Sequence, residues 1–252
     1  MANQNRIKFF FLFAAALYGS LPAASGCYAE ESAQSIVQQA DAIRFPQKSF
    51  QVDVAITSRS AGHDVDSYKY QLFSKGRDNT LVRTIEPASE RGRILLMKEF
   101  DLWAYMPDIS QPIRLSLAQR LSGQVANGDL ARTNFSGDYT PRILRTEQVN
   151  KESYYVLELT ANDRRVTYHR IIYWVNKENH RPYKAEFYAV SGRMLKTFQY
   201  LDFNMMDGMA RPARLMVKNA LHPDEVSVLE YSNMHTRDFP DKVFTKDYLK
   251  RL

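Results

Sequence analysis

Arg91 to Pro107 reads R-G-R-I-L-L-M-K-E-F-D-L-W-A-Y-M-P, and the fold class turns on what this stretch forms. Its composition predicts two strands joined by a tight turn. The first, Arg93 to Lys98, is apolar on both faces, with Ile94 and Leu96 pointing one way and Leu95 and Met97 the other. The second, Leu102 to Met106, sets Trp103 and Tyr105 on one face against Leu102, Ala104 and Met106 on the other. Glu99, Phe100 and Asp101 fill the turn, and Pro107 stops the second strand because proline cannot donate to a sheet ladder. A strand that is apolar on both faces is covered on both faces.

Period-two alternation spreads outward from this hairpin. Phe50, Val52, Val54 and Ile56 alternate with Gln51, Asp53 and Ala55. Ala61-Gly62-His63-Asp64 is a turn, and Val65 to Lys75 returns with Tyr68, Tyr70 and Leu72 on one face. Gly76 to Asn79 turns again before Thr80 to Ile85, so the first half is an antiparallel meander. Before it, Ala33, Ile36, Val37, Ala40 and Ile43 form the apolar stripe of a helix over Glu31 to Arg44, ended by Pro46.

After the hairpin the rhythm breaks. Asp108 to Thr140 is rich in Gly, Asn, Asp, Ser and Pro, with one short helix expected over Ser116 to Val125, capped by Ser116. A non-strand excursion of this length in a β domain is either a surface connection or a binding loop or lid. Alternation resumes at Ile143. Ser153 to Leu159 is expected to pair with Val166 to Val175, and Arg181 to Val190 with Met194 to Phe203 across a primed Ser191-Gly192 turn. Asp207-Gly208 makes another turn before Ala210 to Lys218 and Glu225 to Met234, and Thr245 caps a short closing helix. About ten strands result in one domain over 30–252, with no linker dividing it.

The chain of 252 residues is long enough for a sizeable core. Its first residues read as an export signal: Arg6 and Lys8, then an apolar run from Phe9 to Leu17, then small residues. Cleavage after Ala29 releases a soluble protein, the favoured reading; lipid attachment at Cys27, the sole cysteine, is the competing one. Removing Cys27 leaves no disulfide and no cysteine metal site. Removing Arg6 and Lys8 from 34 basic residues leaves 32 against 28 acidic ones, or +4, without a basic run, which argues against nucleic-acid binding.

Catalytic signatures are missing. The five histidines are scattered, and the sequence holds no zinc spacing, nucleophile elbow, P-loop or GxGxxG. What stands out is aromatic content on strands that are apolar on both faces, such as Ile171 to Val175. Such strands suggest a strongly curved sheet with a helix, a lid or an acyl chain in its hollow; the alternative is that these side chains simply pack on one another.

Taken together, L-W-A-Y-M-P (Leu102 to Pro107), Y-W-V (Tyr173 to Val175), K-A-E-F-Y-A-V-S-G-R (Lys184 to Arg193) and F-T-K-D-Y-L (Phe244 to Leu249) follow an export signal and a helix. This arrangement resembles the outer-membrane lipoprotein-sorting proteins, LolA-like relatives of the periplasmic carrier of the Lol system, over nearly the whole mature chain. The resemblance implies a mainly β (α+β) fold, a strongly curved antiparallel sheet forming a half-closed barrel with helices as a lid on its concave face. It implies a periplasmic carrier of lipoprotein acyl chains, phospholipid or fatty acid, with an inner-membrane transporter and an outer-membrane acceptor, acting as a monomer without cofactor or metal. The lining expected on this basis is Val54, Tyr70, Leu72, Ile94, Leu96, Trp103, Tyr105, Ile172, Trp174 and Phe187, with Arg77 holding the lid. The rival implication of the same fold is an envelope sensor module that binds a membrane protein's periplasmic segment.

Overall fold

The strand rhythm of the sequence becomes one antiparallel sheet. The computed structural model describes residues 31–60, 66–132 and 134–249; the expected export signal, Cys27, the expected 61–64 turn and the first residue of the strand expected from Val65 lie outside these. Helix α1 (Ala33–Arg44) comes first. It leads into the meander β1 (Phe50–Arg59), β2 (Asp66–Lys75), β3 (Asn79–Glu86), β4 (Ile94–Lys98), β5 (Asp101–Tyr105) and β6 (Ile113–Leu115). A small hairpin, β7 (Arg120–Ser122) and β8 (Val125–Ala126), and the helices α2 (Asn127–Ala131) and α3 (Phe135–Asp138) make the excursion. A second meander follows: β9 (Tyr139–Val149), β10 (Glu152–Ala161), β11 (Arg170–Asn176), β12 (Pro182–Tyr188), β13 (Met194–Met206), β14 (Met209–Asn219) and β15 (Val226–Thr236). A 3₁₀ turn (Asp241–Phe244) and α4 (Lys246–Leu249) close the described chain.

Thirteen strands share the sheet, in the order β6-β5-β4-β3-β2-β1-β15-β14-β13-β12-β11-β10-β9, more than the ten expected. The sheet is open, with β6 and β9 as edges. The two meanders meet where β1 pairs with β15, for example Val54 opposite Tyr231. The opening hairpin forms, but its turn is two residues, Glu99 and Phe100, rather than the three expected: Asp101 already pairs with Lys98, Leu96 pairs with Trp103, and Glu99 takes a left-handed conformation (φ 55°).

Two local expectations are corrected. Ser116 to Val125 is no helix: Gly123 sits at φ 51°, the β7–β8 hairpin forms around it, and Ser116 spends its hydroxyl on the amide of Ala118 in a local turn. The helical residues start two positions later, at Asn127. The Ser191-Gly192 turn is not of the primed type either. Gly192 donates to the Ala189 carbonyl, and only Gly192 has positive φ (81°), a tight turn followed by a left-handed glycine. By contrast Asp207 and Gly208 both have positive φ (50° and 73°), as a primed turn requires.

Gly123 also sets how close the excursion comes to the sheet. A β-carbon there would lie 1.9 Å from Ser58 Oγ, 2.4 Å from Ser227 Oγ and 2.6 Å from Ser58 Cβ, the serines that face each other across the β1–β15 seam. Gly123→Ala combines this overlap with a strained φ. We expect it to lower the unfolding free energy in urea by about 2–4 kcal/mol.

Candidate functional site

Alternation gives the sheet two faces, and what lies on each decides where a ligand can go. On one face Val52, Val54 and Ile56 (β1), Tyr70 and Leu72 (β2), Leu157 and Leu159 (β10), and Phe187 (β12) join a single large apolar cluster. Ile36, Val37 and Ala40 of α1 and Leu117, Val125, Leu130, Ala131 and Phe135 of the excursion belong to the same cluster. The helices and the β7–β8 hairpin therefore cover this face. Phe187 is at its centre, with Phe198 and Tyr168 rings 4.4 and 4.5 Å away.

The cover is held by polar clamps as well as by apolar contact. Asp41 and Arg44 pair at 3.0 Å on the buried side of α1, and the Arg44 guanidinium lies 4.0 Å from the centre of the Phe135 ring. The second Asp41 oxygen accepts from the Ser136 amide at 2.7 Å, tying α1 to α3. Arg211 on β14 donates to the carbonyls of Ala42 and Ile43 at 2.7 and 3.2 Å, supplying partners that the last turn of a helix lacks. In the excursion, Arg132 makes a two-pronged contact with Asp138 at 2.6 and 2.5 Å and donates to the Glu99 carbonyl at 2.6 Å. A further bond reaches Asp78 at 3.2 Å. Lys196 of β13 pairs with Asp129 of α2, which also accepts from the Tyr168 hydroxyl at 2.7 Å.

Burial shapes the ionisation of these groups. Loss of water pushes the Asp41 carboxyl up despite the opposing Arg44, and pushes Asp138 up despite its bonds to Arg132. Tyr168 and Tyr173 hydroxyls rise well above their ordinary value for the same reason. Three crevices between cover and sheet measure about 20, 40 and 10 Å³, room for one to a few water molecules, and a fourth, of about 180 Å³, lies between the β7–β8 hairpin and Tyr168, Leu195 and Lys196 of the sheet side. Beneath α1 the face is filled by its own side chains.

The expected lining residues do not share one face. Val54, Tyr70, Leu72 and Phe187 lie in the helix-covered cluster. Ile94, Leu96, Trp103 and Tyr105 lie on the opposite face, packed with Leu81 beneath Phe239, Phe244 and Leu249 of the C-terminal segment. Ile172 and Trp174 are also on that opposite face, with Tyr154 and Val156. The pairing explains the inversion. Register carries the covered face from Leu72 to Val82, Leu95 and Ala104, so Leu95 and Met97 are the β4 residues that face the helices. Arg77, in the β2–β3 turn, donates to Asn134 Oδ1 at 3.2 Å, Ser136 Oγ at 3.0 Å and Gln47 Oε1 at 2.8 Å, so it touches the excursion it was expected to hold.

The ionic clamps were missed by the sequence reading, though α1 carried a signal. Asp41 and Arg44 fall on the same side as Val37 and Ala40, inside the apolar stripe. Among the described residues no group of three or more His, Cys, Asp or Glu is placed to hold a metal, and no helix is long and apolar enough to cross a membrane.

Comparison with known proteins brings these features together. A family described as "-like: Uncharacterized protein" matches residues 76–251. No curated protein matches. A LolA superfamily protein from Nitrosomonas europaea is 60% identical, with a TM-score of 0.83 over 86% of this chain and 99% of its own. A DUF1329 family protein from Desulfovibrio piger is 20% identical (TM-score 0.76, 86% and 97% covered). An outer membrane lipoprotein-sorting protein domain from Vibrio parahaemolyticus is 21% identical (TM-score 0.75, 87% and 98% covered). The last two establish the fold alone.

Proposed function

The chain belongs to the LolA superfamily, and on that premise we propose that it is a periplasmic carrier that shelters the acyl chains of lipoproteins or lipids beneath its helix cover, on the way toward the outer membrane. Residues 1–29 direct export in this reading, and 30–252 form the carrier. The observation that carries it is the pairing of one continuous apolar face with a cover fastened by charged groups. Apolar walls hold an acyl chain without directional bonds, at about 0.8 kcal/mol per buried methylene. Charged clamps suit a cover that opens, because water can take their place as they separate.

The contacts of Arg132 support a strongly curved sheet. Its guanidinium reaches both Glu99, between β4 and β5, and Asp138, which leads directly into β9. In a flat sheet those strands would stand about 50 Å apart. α1, α2, α3 and the β7–β8 hairpin then serve as the lid. The filled interior means that loading requires the lid to move, with acyl chain replacing the side chains that now occupy the hollow. Val54, Leu72, Leu95, Met97 and Phe187 line the path, and Arg77 latches the excursion to the β2–β3 turn.

Native mass spectrometry of protein from the periplasm, with and without a delipidation step, tests this. Bound acyl species are expected, and the delipidated protein should take up a fluorescent fatty-acid analogue at one equivalent. A protein that never takes up an acyl chain would sink the reading. Arg77→Ala is expected to raise amide hydrogen exchange in 127–138 severalfold and speed analogue uptake, while leaving exchange in β13 and β14 unchanged. Unaltered exchange in 127–138 would remove Arg77 from the latch.

A further inference from the structure

A cavity of about 440 Å³ lies on the sheet face opposite the helices, roofed by the C-terminal segment from Arg237 to Tyr248. Its size falls in the range of small-molecule sites, about 300–1,000 Å³. The floor is made by outward-facing residues of the first meander. Phe73 and Leu81 give it an apolar base, and Phe239 closes over them, its ring 5.4 Å from that of Phe73.

The polar part of the lining is what marks it. Arg83, Arg237 and Lys242 all line the cavity, against one acidic residue, Asp238. Fifteen ion pairs form among the described residues, yet none of these three cations takes part in one. Arg83 donates instead to Gln71 Oε1 at 2.5 Å and Arg237 to Gln51 Oε1 at 3.0 Å, neutral acceptors that hold the guanidinium groups without cancelling their charge. The buried Nε–H of Arg83 has no acceptor at all. Three cations against one acidic residue leave the lining net positive beside an apolar floor, a setting that suits an anionic group.

From these features we propose that this cavity binds an amphiphile with a single anionic head group, a phosphomonoester or a carboxylate, and a short apolar tail. The head group meets Arg83, Arg237 and Lys242, for which arginine's planar donor fork is well matched to phosphate and carboxylate oxygens. The tail lies along the apolar wall that Phe73, Leu81, Phe239 and Val243 form together. This site is separate from the helix-covered face and does not depend on the lid opening.

Dodecyl phosphate, dodecanoate, dodecyltrimethylammonium and inorganic phosphate, each titrated calorimetrically into the full mature chain, test the chemistry; a diazirine-tagged dodecyl phosphate tests the place. We expect the two anionic amphiphiles to bind at least tenfold more tightly than inorganic phosphate or the cationic amphiphile, with the label in 71–83 and 237–249. Tighter binding of dodecyl phosphate than of dodecanoate assigns a phosphate head, and the reverse a carboxylate. R83Q/R237Q should weaken binding at least tenfold with an unchanged far-ultraviolet spectrum. Should that variant not fold, Lys242→Gln, on the exposed rim, should still weaken it about threefold. Labelling confined to 33–44 and 127–138 would place the ligand under the helices and overturn this site while supporting the carrier. Equal binding of the cationic amphiphile, or no binding of either anionic one, also overturns it.

Discussion

Asp138→Ala is expected to cost about 3–5 kcal/mol of unfolding free energy, because it leaves Arg132 charged and buried without its main partner. Both side chains are 5% exposed, and the two-pronged contact includes the shortest bond of the Arg132 network. The guanidinium keeps the Glu99 carbonyl and the Phe100 ring, 3.9 Å away, but neither neutralises it, and Asp78 is half exposed. For a domain of this size the loss corresponds to a fall in melting temperature of roughly 6–20 °C. Urea denaturation of Asp138→Ala, Arg132→Met and the double variant R132M/D138L measures it. The double variant should recover much of the loss, since replacing both charges by apolar groups removes the burial penalty along with the attraction. A cost under about 1 kcal/mol for the single variant would mean that water reaches the pair.

Phe187→Ala is expected to destabilise by a comparable 3–5 kcal/mol, through the void left among the Phe198, Tyr168 and Phe135 rings. Its side chain is 1% exposed, so no solvent fills the space. The variant also tests which face receives acyl chains. Space opened beneath the helices should raise uptake of the fluorescent fatty-acid analogue. Trp174→Ala opens a void at least as large on the opposite face, in the cluster with Tyr154 and Ile172, and should leave uptake unchanged. Equal effects of the two substitutions on uptake would show that the faces do not differ in the way proposed.

The strands were legible because alternation is a local property. Phe50 to Ile56 shows its pattern without help from any partner, and β1 begins at Phe50 as expected. The grouping of Ile94 and Leu96 with Trp103 and Tyr105 was legible too, from the alternation along each strand, although the turn between them is one residue shorter than expected. Which face that group occupies was not. All of Ile94 to Met97 is buried, so the strand carries no polar side to orient it, and the answer lies in pairings that run back through β3 and β2 to β1. The excursion misled for a related reason. Leu117, Leu121 and Val125 fall at helical spacing, but Gly123 and the contacts at Ser58 and Ser227 favour a hairpin there. The clamps depend on residues far apart in the chain, such as Asp129 with Lys196, and no spacing rule reaches that distance.

The seam between β1 and β15 has a consequence for how the chain acquires its structure. Every other pairing in the large sheet joins strands consecutive in sequence, so each meander can zip up from its own turns. The seam instead brings Phe50 against Thr236, closing a loop of most of the chain. Pairings of that separation are the slow ones. As the chain emerges from its amino end, the first six strands stand with β1 as an unpaired edge until the last strand arrives. Two half-sheets, each with an apolar face bare to water, must wait for one another, and this interval is when the protein is most exposed to association with other chains.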